Sequence, residues 1–362
     1  MASGGDAMKN PFTSMLKATR LVNKGRPMSA ALVMQRALMT PAKPVSAKKK
    51  PAAKATPRLA PRPLPGTTTE GLFESRHGSL RYRLYTPVGS PRRRLPIVVM
   101  LHGCSQSAAD FANGTAMNAL ADERGAIILY PEQSTSANVG RCWNWHRRDN
   151  QQRGRGEPAV IAALTRHAIA LARADPARVY IAGISAGGVA AAIIGQAYPD
   201  LFVAVGVHSG LACGEVNSLG AAMAAMRGRA TPSSAVPSTT ITPRSARPRP
   251  TIVFHGDGDR VVHPSNADSF RTQLERSTTG PLVTRSSQGQ AAGGRHYSRT
   301  EYRNRQGDVM LESWTIHGSG HAWSGGARSA SYTDPAGPDA SREMLRFFLG
   351  RKRLSRPART IA

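Results

Sequence analysis

The chain has 362 residues, and 40% of them are apolar, which is enough for one large domain with a buried core plus flanking segments. Lysine and arginine outnumber aspartate and glutamate by 49 to 22, so the formal net charge is +27. The sequence contains no run of about 18 apolar residues, so we expect no transmembrane segment. No nucleic-acid-binding motif accompanies the basic residues, so we expect no nucleic-acid partner.

The two ends of the chain carry much of the excess positive charge. Residues 1–39 place apolar side chains at helical spacing among basic ones, which predicts a basic amphipathic helical segment. Residues 40–68 are rich in proline, alanine and lysine and are interpreted as a solvated linker, and residues 351–362 form a basic tail. The helical segment has two interpretations, because it either docks on a surface or packs as a hairpin against the following domain.

The expected location of the protein rests on its first residues and its cysteines. The chain begins Met-Ala-Ser-Gly-Gly-Asp, without the basic and apolar stretches of a secretory signal, so a cytoplasmic location is expected. Cys104, Cys142 and Cys213 do not form a disulfide scaffold. Free or buried thiols in a reducing compartment are the favoured interpretation, and a Cys142–Cys213 bridge in an exported protein is the alternative.

Short β-type runs alternate with helical runs through residues 69–350, which predicts one α/β domain with a mostly parallel, doubly wound sheet flanked by helices. The predicted strands are 80–85, 96–101, 126–130, 179–182, 202–208, 251–255, 297–303 and 309–316. The predicted helices are 108–124, 158–173, 188–194, 265–276 and 339–349. A flexible insertion is predicted at about 214–250, with a short helical piece at 219–226.

Two of the predicted strands end in turns whose residues could take part in catalysis. The strand 96–101 runs into His102, Gly103 and Cys104, where the glycine lets the backbone approach a ligand. The strand 179–182 runs into Gly-Ile-Ser-Ala-Gly at 183–187 and then into a helix, which is the context of a nucleophile elbow. We therefore predict Ser185 as a nucleophile and the backbone N–H groups of Cys104 and Ala186 as an oxyanion hole.

A serine nucleophile needs a histidine that takes its proton and an acid that orients the histidine. In this type of fold the acid and then the histidine follow the serine along the chain. Two acids, Asp257 and Asp259, follow the strand 251–255, and two histidines, His317 and His321, follow the strand 309–316, so the residues alone leave both choices open. Glycines between the two histidines argue against a helical metal site, so no metal is expected.

Four segments together resemble one known family. They are Leu-His-Gly-Cys-Ser-Gln at 101–106, Cys-Trp-Asn-Trp at 142–145, Gly-Ile-Ser-Ala-Gly at 183–187 and Gly-His-Ala-Trp-Ser-Gly-Gly at 320–326. The sequence is similar to the polyhydroxybutyrate depolymerase-type esterases, a branch of the α/β-hydrolases that also contains feruloyl and acetylxylan esterases. The resemblance runs from about residue 71 to 349 and implies an α/β-hydrolase fold.

The resemblance also assigns roles to individual residues. The family's His-Gly-x-x-Asp-x-x-Val pattern implies that Asp259 is the acid, and its Gly-His-x-Trp pattern implies that His321 is the base. With Ser185 these residues complete a triad, and Cys104 falls on the family's oxyanion donor. Trp143, Trp145 and Trp323 either line the substrate pocket or pack in the core.

The activity implied by the resemblance is that of a serine esterase without a cofactor, acting on polyhydroxyalkanoate or its oligomers. A feruloyl or acetylxylan-type esterase is the enzymatic alternative, and a non-catalytic granule- or surface-binding protein with a hydrolase fold is the other. The ester substrate is the expected partner, with a polymer granule surface as a further candidate. Family members also make a secreted location the alternative to a cytoplasmic one.

Overall fold

One ten-stranded sheet organises the part of the chain that the computed structural model describes, which comprises residues 66–89, 94–212, 216, 218–228 and 248–353. The predicted segment 1–39, most of the linker 40–68, most of the insertion 214–250 and most of the tail 351–362 lie outside these residues. None of the described helices is both long and apolar enough to cross a bilayer.

The sheet is parallel at its centre and antiparallel at both edges. Its strands are β1 (Thr67–Ser75), β2 (Gly78–Thr86), β3 (Ile97–Leu101), β4 (Ile127–Glu132), β5 (Val179–Ile184), β6 (Ala204–His208), β7 (Thr251–Gly256), β8 (Val283–Gln290), β9 (His296–Arg303) and β10 (Val309–Ile316). They lie in the order β1-β2-β4-β3-β5-β6-β7-β10-β9-β8. Neighbours from β4 to β10 in this order are parallel, whereas β1, β2, β9 and β8 join antiparallel.

Helices cover both faces of the sheet. They are α1 (Ala108–Thr115), α2 (Met117–Arg124), α3 (Gly156–Leu171), α4 (Ala186–Ala197), α5 (Leu219–Met226), α6 (Asn266–Ser277) and α7 (Ala340–Leu349), with a 3₁₀ turn at Arg148–Gln151 and a small parallel pair, β11 (Trp323–Ser324) and β12 (Thr333–Asp334). The predicted α/β class and mostly parallel central sheet are confirmed.

Alternation along the strands divides the core into two layers, because successive side chains of a strand point to opposite faces. On β3, Ile97, Val99 and Leu101 join the cluster that contains the buried residues of α3, α4 and α6. Val98 and Met100 join the other cluster, which contains those of α1, α2 and α7. The fully buried parallel strands read as continuous apolar runs for this reason.

The predicted elements differ from the structure at one helix and at the edge strands, and both differences have physical causes. The single helix predicted at 108–124 is two helices, because Ala116 adopts a left-handed conformation with φ 52° between α1 and α2. The edge strands β1 and β8 were not predicted. Most residues of both strands are exposed, so neither strand carries the apolar alternation that marks a half-buried strand.

The cysteine interpretation is corrected by a disulfide between Cys104 and Cys142. Neither the free thiols nor the Cys142–Cys213 bridge considered from the sequence matches this pairing, and Cys213 lies outside the described residues. The cause is the sheet order, because β3 and β4 are parallel neighbours and the loops that follow them emerge at the same edge. These two loops carry Cys104 and Cys142.

We expect the disulfide to contribute to stability by restricting the unfolded chain. Its closed loop spans a sequence separation of 38 residues, for which loop-closure entropy gives about 4 kcal/mol. Cys142→Ser should therefore lower the free energy of unfolding in urea by roughly 2–4 kcal/mol. Cys213→Ser is the matched control and should leave it unchanged. Destabilisation by the control alone would contradict the pairing.

Candidate active site

Ser185 occupies a strained turn between β5 and α4. Its φ of 56° lies in the left-handed region, which a non-glycine residue rarely adopts. A Cβ atom on Gly183 would lie 2.4 Å from the carbonyl oxygen of Gly187, and one on Gly187 would lie 2.2 Å from that of Leu101. The glycines on either side of Ser185 are therefore required by backbone contact, as the elbow motif predicts.

The turn is fixed to the neighbouring strand. The Ser185 N–H donates to the carbonyl oxygen of His208 at 2.9 Å, where β5 pairs with the end of β6. The Val189 N–H donates to the carbonyl oxygen of Ser185 at 3.0 Å and begins the ladder of α4. These bonds hold the strained residue and leave its half-buried hydroxyl without a hydrogen-bond partner among the described residues.

His102 orients the peptide that bears the predicted oxyanion donor Cys104. The Gln133 N–H donates to His102 Nε2 at 3.1 Å, so Nδ1 carries the ring proton and donates to the Gly103 carbonyl at 2.7 Å. Burial lowers the pKa of His102, which keeps the ring neutral. Because the Gly103–Cys104 peptide is trans, its N–H points away from His102.

The second predicted donor, Ala186, is the first residue of α4. An N–H in the first turn of a helix has no partner within the helix, and the helix dipole favours negative charge at this end. Gly187 lies against the carbonyl oxygens of Leu101 and His102, so the start of α4 and the Cys104 loop are adjacent. The structure thus brings both predicted donors to one edge of the sheet, beside Ser185.

Asp259, which is buried, and His321, which is half-buried, form a hydrogen-bonded pair. His321 Nδ1 donates to Asp259 Oδ2 at 2.8 Å, and Asp259 Oδ1 accepts from the N–H groups of Val261 and Val262, both at 2.9 Å. Burial opposes ionisation of Asp259, but the hydrogen bonds that it accepts from His321 and from the backbone outweigh this effect and lower the pKa of the carboxyl group. His321 Nε2 has no partner among the described residues and is left as the free nitrogen.

His208 connects the histidine loop to the serine turn, a role that the sequence gave no signal for. Its Nε2 accepts from the Ser324 N–H at 3.0 Å. Its ring stacks on those of Trp323 and Phe254, with centroid distances of 5.2 and 5.9 Å. Burial lowers its pKa to about 3, the neighbouring His255 acts in the same direction, and Asp259 opposes the shift. Since its carbonyl oxygen binds the Ser185 N–H, His208 brings the loop of His321 to the nucleophile turn.

The competing candidates Asp257 and His317 form a separate pair at the surface. His317 Nδ1 lies 2.9 Å from Asp257 Oδ2, and His317 Nε2 lies 2.9 Å from Ser298 Oγ. The side chains of His317 and Asp257 are 42% and 41% exposed, whereas that of Asp259 is fully buried. Ser298 lies within β9, whereas Ser185 lies in the turn that leads into the N-terminus of α4.

The three tryptophans predicted near the substrate are buried. Trp143 and Trp323 are each 1% exposed and Trp145 is 7% exposed. Trp143 Nε1 donates to the carbonyl oxygen of His102 and Trp323 Nε1 to Ser341 Oγ, both at 3.0 Å. This burial favours the core-packing interpretation that the sequence left open, with Trp143 supporting the oxyanion loop from beneath.

The Cys-Trp-Asn-Trp segment is anchored by Glu157 at the start of α3. The Glu157 carboxylate accepts from the N–H and side-chain amide of Asn144 and from Gln133 Nε2. Burial raises the pKa of Glu157, and these donors oppose the effect. Gln133 and Glu157 thus link the disulfide-bonded loop to the domain, and sequence spacing alone did not reveal the contact. The described residues contain no cluster of metal-binding side chains.

Comparison with known proteins places this site in a family. The family model described as "Esterase PHB depolymerase" matches residues 80–294. Poly(3-hydroxyalkanoate) depolymerase C of Paucimonas lemoignei is 28% identical over 69% of this chain and 60% of its own length. Feruloyl esterase B of Neurospora crassa is 34% identical over 36% of this chain and 44% of its own. Probable acetylxylan esterase A of Aspergillus clavatus is 30% identical over 47% and 58%.

Among solved structures, an acetyl xylan esterase from Aspergillus awamori aligns with a TM-score of 0.59 and 18% identity, covering 79% of this chain and all of that one. At that identity the likeness shows the fold alone. The chain spans between 44% and 60% of the lengths of the three sequence relatives. Since the family match covers more than half of the chain and includes the turn of Ser185, the chain belongs to the Esterase PHB depolymerase family of the α/β-hydrolase superfamily.

Proposed function

We propose that this protein is a serine esterase that hydrolyses carboxylic esters through an acyl-serine intermediate, with polyhydroxyalkanoate or its oligomers as the substrate class. The observation that carries the proposal is the strained Ser185 turn, which lies beside the adjacent Cys104 and Ala186 donors. The same turn is joined through His208 to the loop of the Asp259–His321 pair. Each element has a defined part in acyl transfer.

In the first half-reaction, Ser185 Oγ attacks the ester carbonyl carbon while His321 Nε2 takes the hydroxyl proton. The Asp259 carboxylate holds Nδ1 and stabilises the imidazolium that forms. The Cys104 and Ala186 N–H groups bind the oxyanion, and one such donor contributes about 3–4 kcal/mol to the barrier reduction. His321 then protonates the leaving alcohol, and water repeats the sequence on the acyl-enzyme. No step needs a cofactor.

The polyester assignment is supported by the extent of the sequence similarity. The depolymerase of Paucimonas lemoignei aligns with 69% of the chain, against 36% for feruloyl esterase B and 47% for acetylxylan esterase A. A feruloyl or acetylxylan-type esterase remains the second candidate, because relatives with those names are 34% and 30% identical over the parts of the chain that they match. A panel of hydroxyalkanoate oligomers, feruloyl esters and acetylated xylan, compared by kcat/KM, separates the two.

The disulfide supports an oxidising compartment for the proposed enzyme. Disulfides persist mainly in exported proteins, and Cys104–Cys142 joins the oxyanion loop to the Trp-bearing loop. We therefore favour the exported location over the cytoplasmic one expected from the first residues. Polymer granules or other anionic surfaces are the proposed docking partners of the basic segment 1–39.

Ser185→Ala should lower ester hydrolysis by roughly 10³–10⁶-fold, because the nucleophile is lost while packing hardly changes. Turnover of a short-chain chromogenic ester is the measurement, with a phosphonate probe to mark the reactive serine by peptide mass. Ser298→Ala is the matched control, since Ser298 also contacts a histidine, and it should keep full activity. Near-normal turnover in Ser185→Ala would show that the nucleophile is misassigned. No hydrolysis and no adduct in the wild type would favour the non-catalytic alternative.

Asp259→Asn should lower kcat by about 10³–10⁴-fold, because an amide cannot stabilise imidazolium and favours the wrong tautomer of His321. Asp257→Asn is the matched control. It alters only the surface pair with His317 and should cost less than about tenfold. The kcat of both variants is measured at a temperature at which both remain folded. Equal losses, or a larger loss at position 257, would reject the assignment of the acid.

Deletion of residues 1–65 should preserve hydrolysis of a soluble ester and weaken binding to anionic, hydrophobic particles. Added salt should mimic part of the binding loss, because it screens the basic residues. If the segment instead packs on the catalytic domain, the truncated protein will melt earlier and lose soluble-ester activity. Unchanged stability, activity and particle binding would reject both interpretations.

A further inference from the structure

Tyr332 contacts both the histidine loop and the oxyanion loop, the first through its backbone and the second through its side chain. Its carbonyl oxygen accepts from the Trp323 N–H at 2.7 Å, two residues beyond His321. Its hydroxyl lies 3.2 Å from Ser105 Oγ, next to Cys104 in sequence. Tyr332 and Ser105 are far apart in the chain, so this contact exists only in the folded protein.

Both residues of this contact have strained backbones. Tyr332 has φ 52° and Ser105 has φ 63°. Left-handed conformations at bulky residues cost free energy and cluster where a ligand is held. The surrounding structure enforces them, since the Ser105 N–H donates to the Gly140 carbonyl at 2.7 Å, beside the disulfide-bonded loop.

The residue before Tyr332 is hydrogen-bonded to the oxyanion loop through Gln106. Gln106 Oε1 accepts from the Gly103 N–H at 3.0 Å, while Gln106 Nε2 donates to Ser331 Oγ at 3.2 Å and to Asp110 Oδ2 at 3.1 Å. The Ser331 hydroxyl donates to Asp110 as well. Tyr332 is thus positioned rigidly relative to Cys104, which a side chain that selects substrates requires.

The protons of the contact can be assigned. The Ser105 hydroxyl has one proton and donates it to the Cys104 carbonyl oxygen at 2.6 Å. The Tyr332 hydroxyl must therefore be the donor to Ser105 Oγ. The phenolic oxygen then keeps a lone pair that accepts no hydrogen bond from a described residue, and the side chain is half-buried beside the oxyanion donor.

We propose that Tyr332 is a specificity-determining residue whose phenolic oxygen accepts a hydrogen bond from a hydroxyl group on the acyl part of the ester. The inference rests on the proposed esterase function and adds the residue that selects hydroxyacyl esters. We assign the hydroxyl to the acyl part because the Tyr332 hydroxyl contacts Ser105, which follows the proposed oxyanion donor Cys104 that would hold the acyl carbonyl oxygen. Plain acyl chains lack the donor that Tyr332 accepts.

The test compares ethyl 3-hydroxybutyrate with ethyl butyrate, which differ only in the hydroxyl, by pH-stat kinetics on the full chain. Wild-type protein should have the higher kcat/KM on the hydroxyester. Tyr332→Phe keeps the ring and removes the acceptor, and it should reduce the ratio of the two kcat/KM values roughly three- to ten-fold. Tyr82→Phe, which removes a half-buried hydroxyl on β2, is the matched control and should leave the ratio unchanged.

A second variant separates selection from support of the oxyanion loop. Ser105→Ala frees the Cys104 carbonyl but keeps the phenolic oxygen of Tyr332. It should therefore lower kcat/KM equally on both esters and leave the ratio of the two values unchanged. The rate at which a phosphonate labels Ser185 verifies that the Tyr332→Phe site is intact. An unchanged ratio in Tyr332→Phe, or an equal fall on both esters, would overturn the inference while an active wild type leaves the esterase proposal standing. A wild type inactive on both esters and unlabelled by the phosphonate would end both proposals.

Discussion

The contact between the serine turn and the end of β3 is the constraint on which the rest of the site depends. Backbone meets backbone there, because a Cβ on Gly187 would fall 2.2 Å from the Leu101 carbonyl oxygen. This contact sets the start of α4 against the loop of Cys104. It therefore fixes the Ala186 and Cys104 N–H groups relative to Ser185. A small shift of Gly183 or Gly187 would move these two donors away from the serine. β6 holds the strained turn of Ser185 through the His208 carbonyl oxygen.

Burial controls the charges around this turn. His102, His208 and His255 are all buried, and burial lowers the pKa of each, so these rings act as neutral hydrogen-bonding groups. His255 Nε2 donates to the Val262 carbonyl at 2.9 Å and supports the loop that carries Asp259. The carboxylate of Asp259 lies beside His255 and stays ionised because its hydrogen-bond donors compensate for burial. The negative charge is thereby concentrated on the side of His321 that faces away from its free Nε2.

The shared fold explains catalysis better than it explains selection. Relatives named as depolymerase, feruloyl esterase and acetylxylan esterase all match this chain, so membership of the family does not decide which ester is cleaved. We infer that substrate selection comes from side chains around the serine turn. The buried tryptophans support loops from within the core, whereas Tyr332 presents a polar atom beside the oxyanion donor. The strained pair of Tyr332 and Ser105 is where loops from distant parts of the sequence meet.

The sequence by itself determined the local elements of this protein. Short apolar runs such as 96–101 and 179–182 indicate buried parallel strands. The Gly-Ile-Ser-Ala-Gly turn between a strand and a helix marks Ser185 as the nucleophile candidate. Spacing could not choose between Asp257 and Asp259 or between His317 and His321, and only the family resemblance ranked them. The exposed edge strands β1 and β8 escaped prediction because polar strands carry no apolar period.

Tertiary structure decided how distant residues pair. The order of strands placed the loops after β3 and β4 side by side, which joined Cys142 to Cys104 rather than to Cys213. It sorted the competing acids and histidines into a buried pair, Asp259 with His321, and an exposed pair, Asp257 with His317. Such pairings depend on distances across the sheet, and a one-dimensional pattern contains local periodicity but no distances between elements.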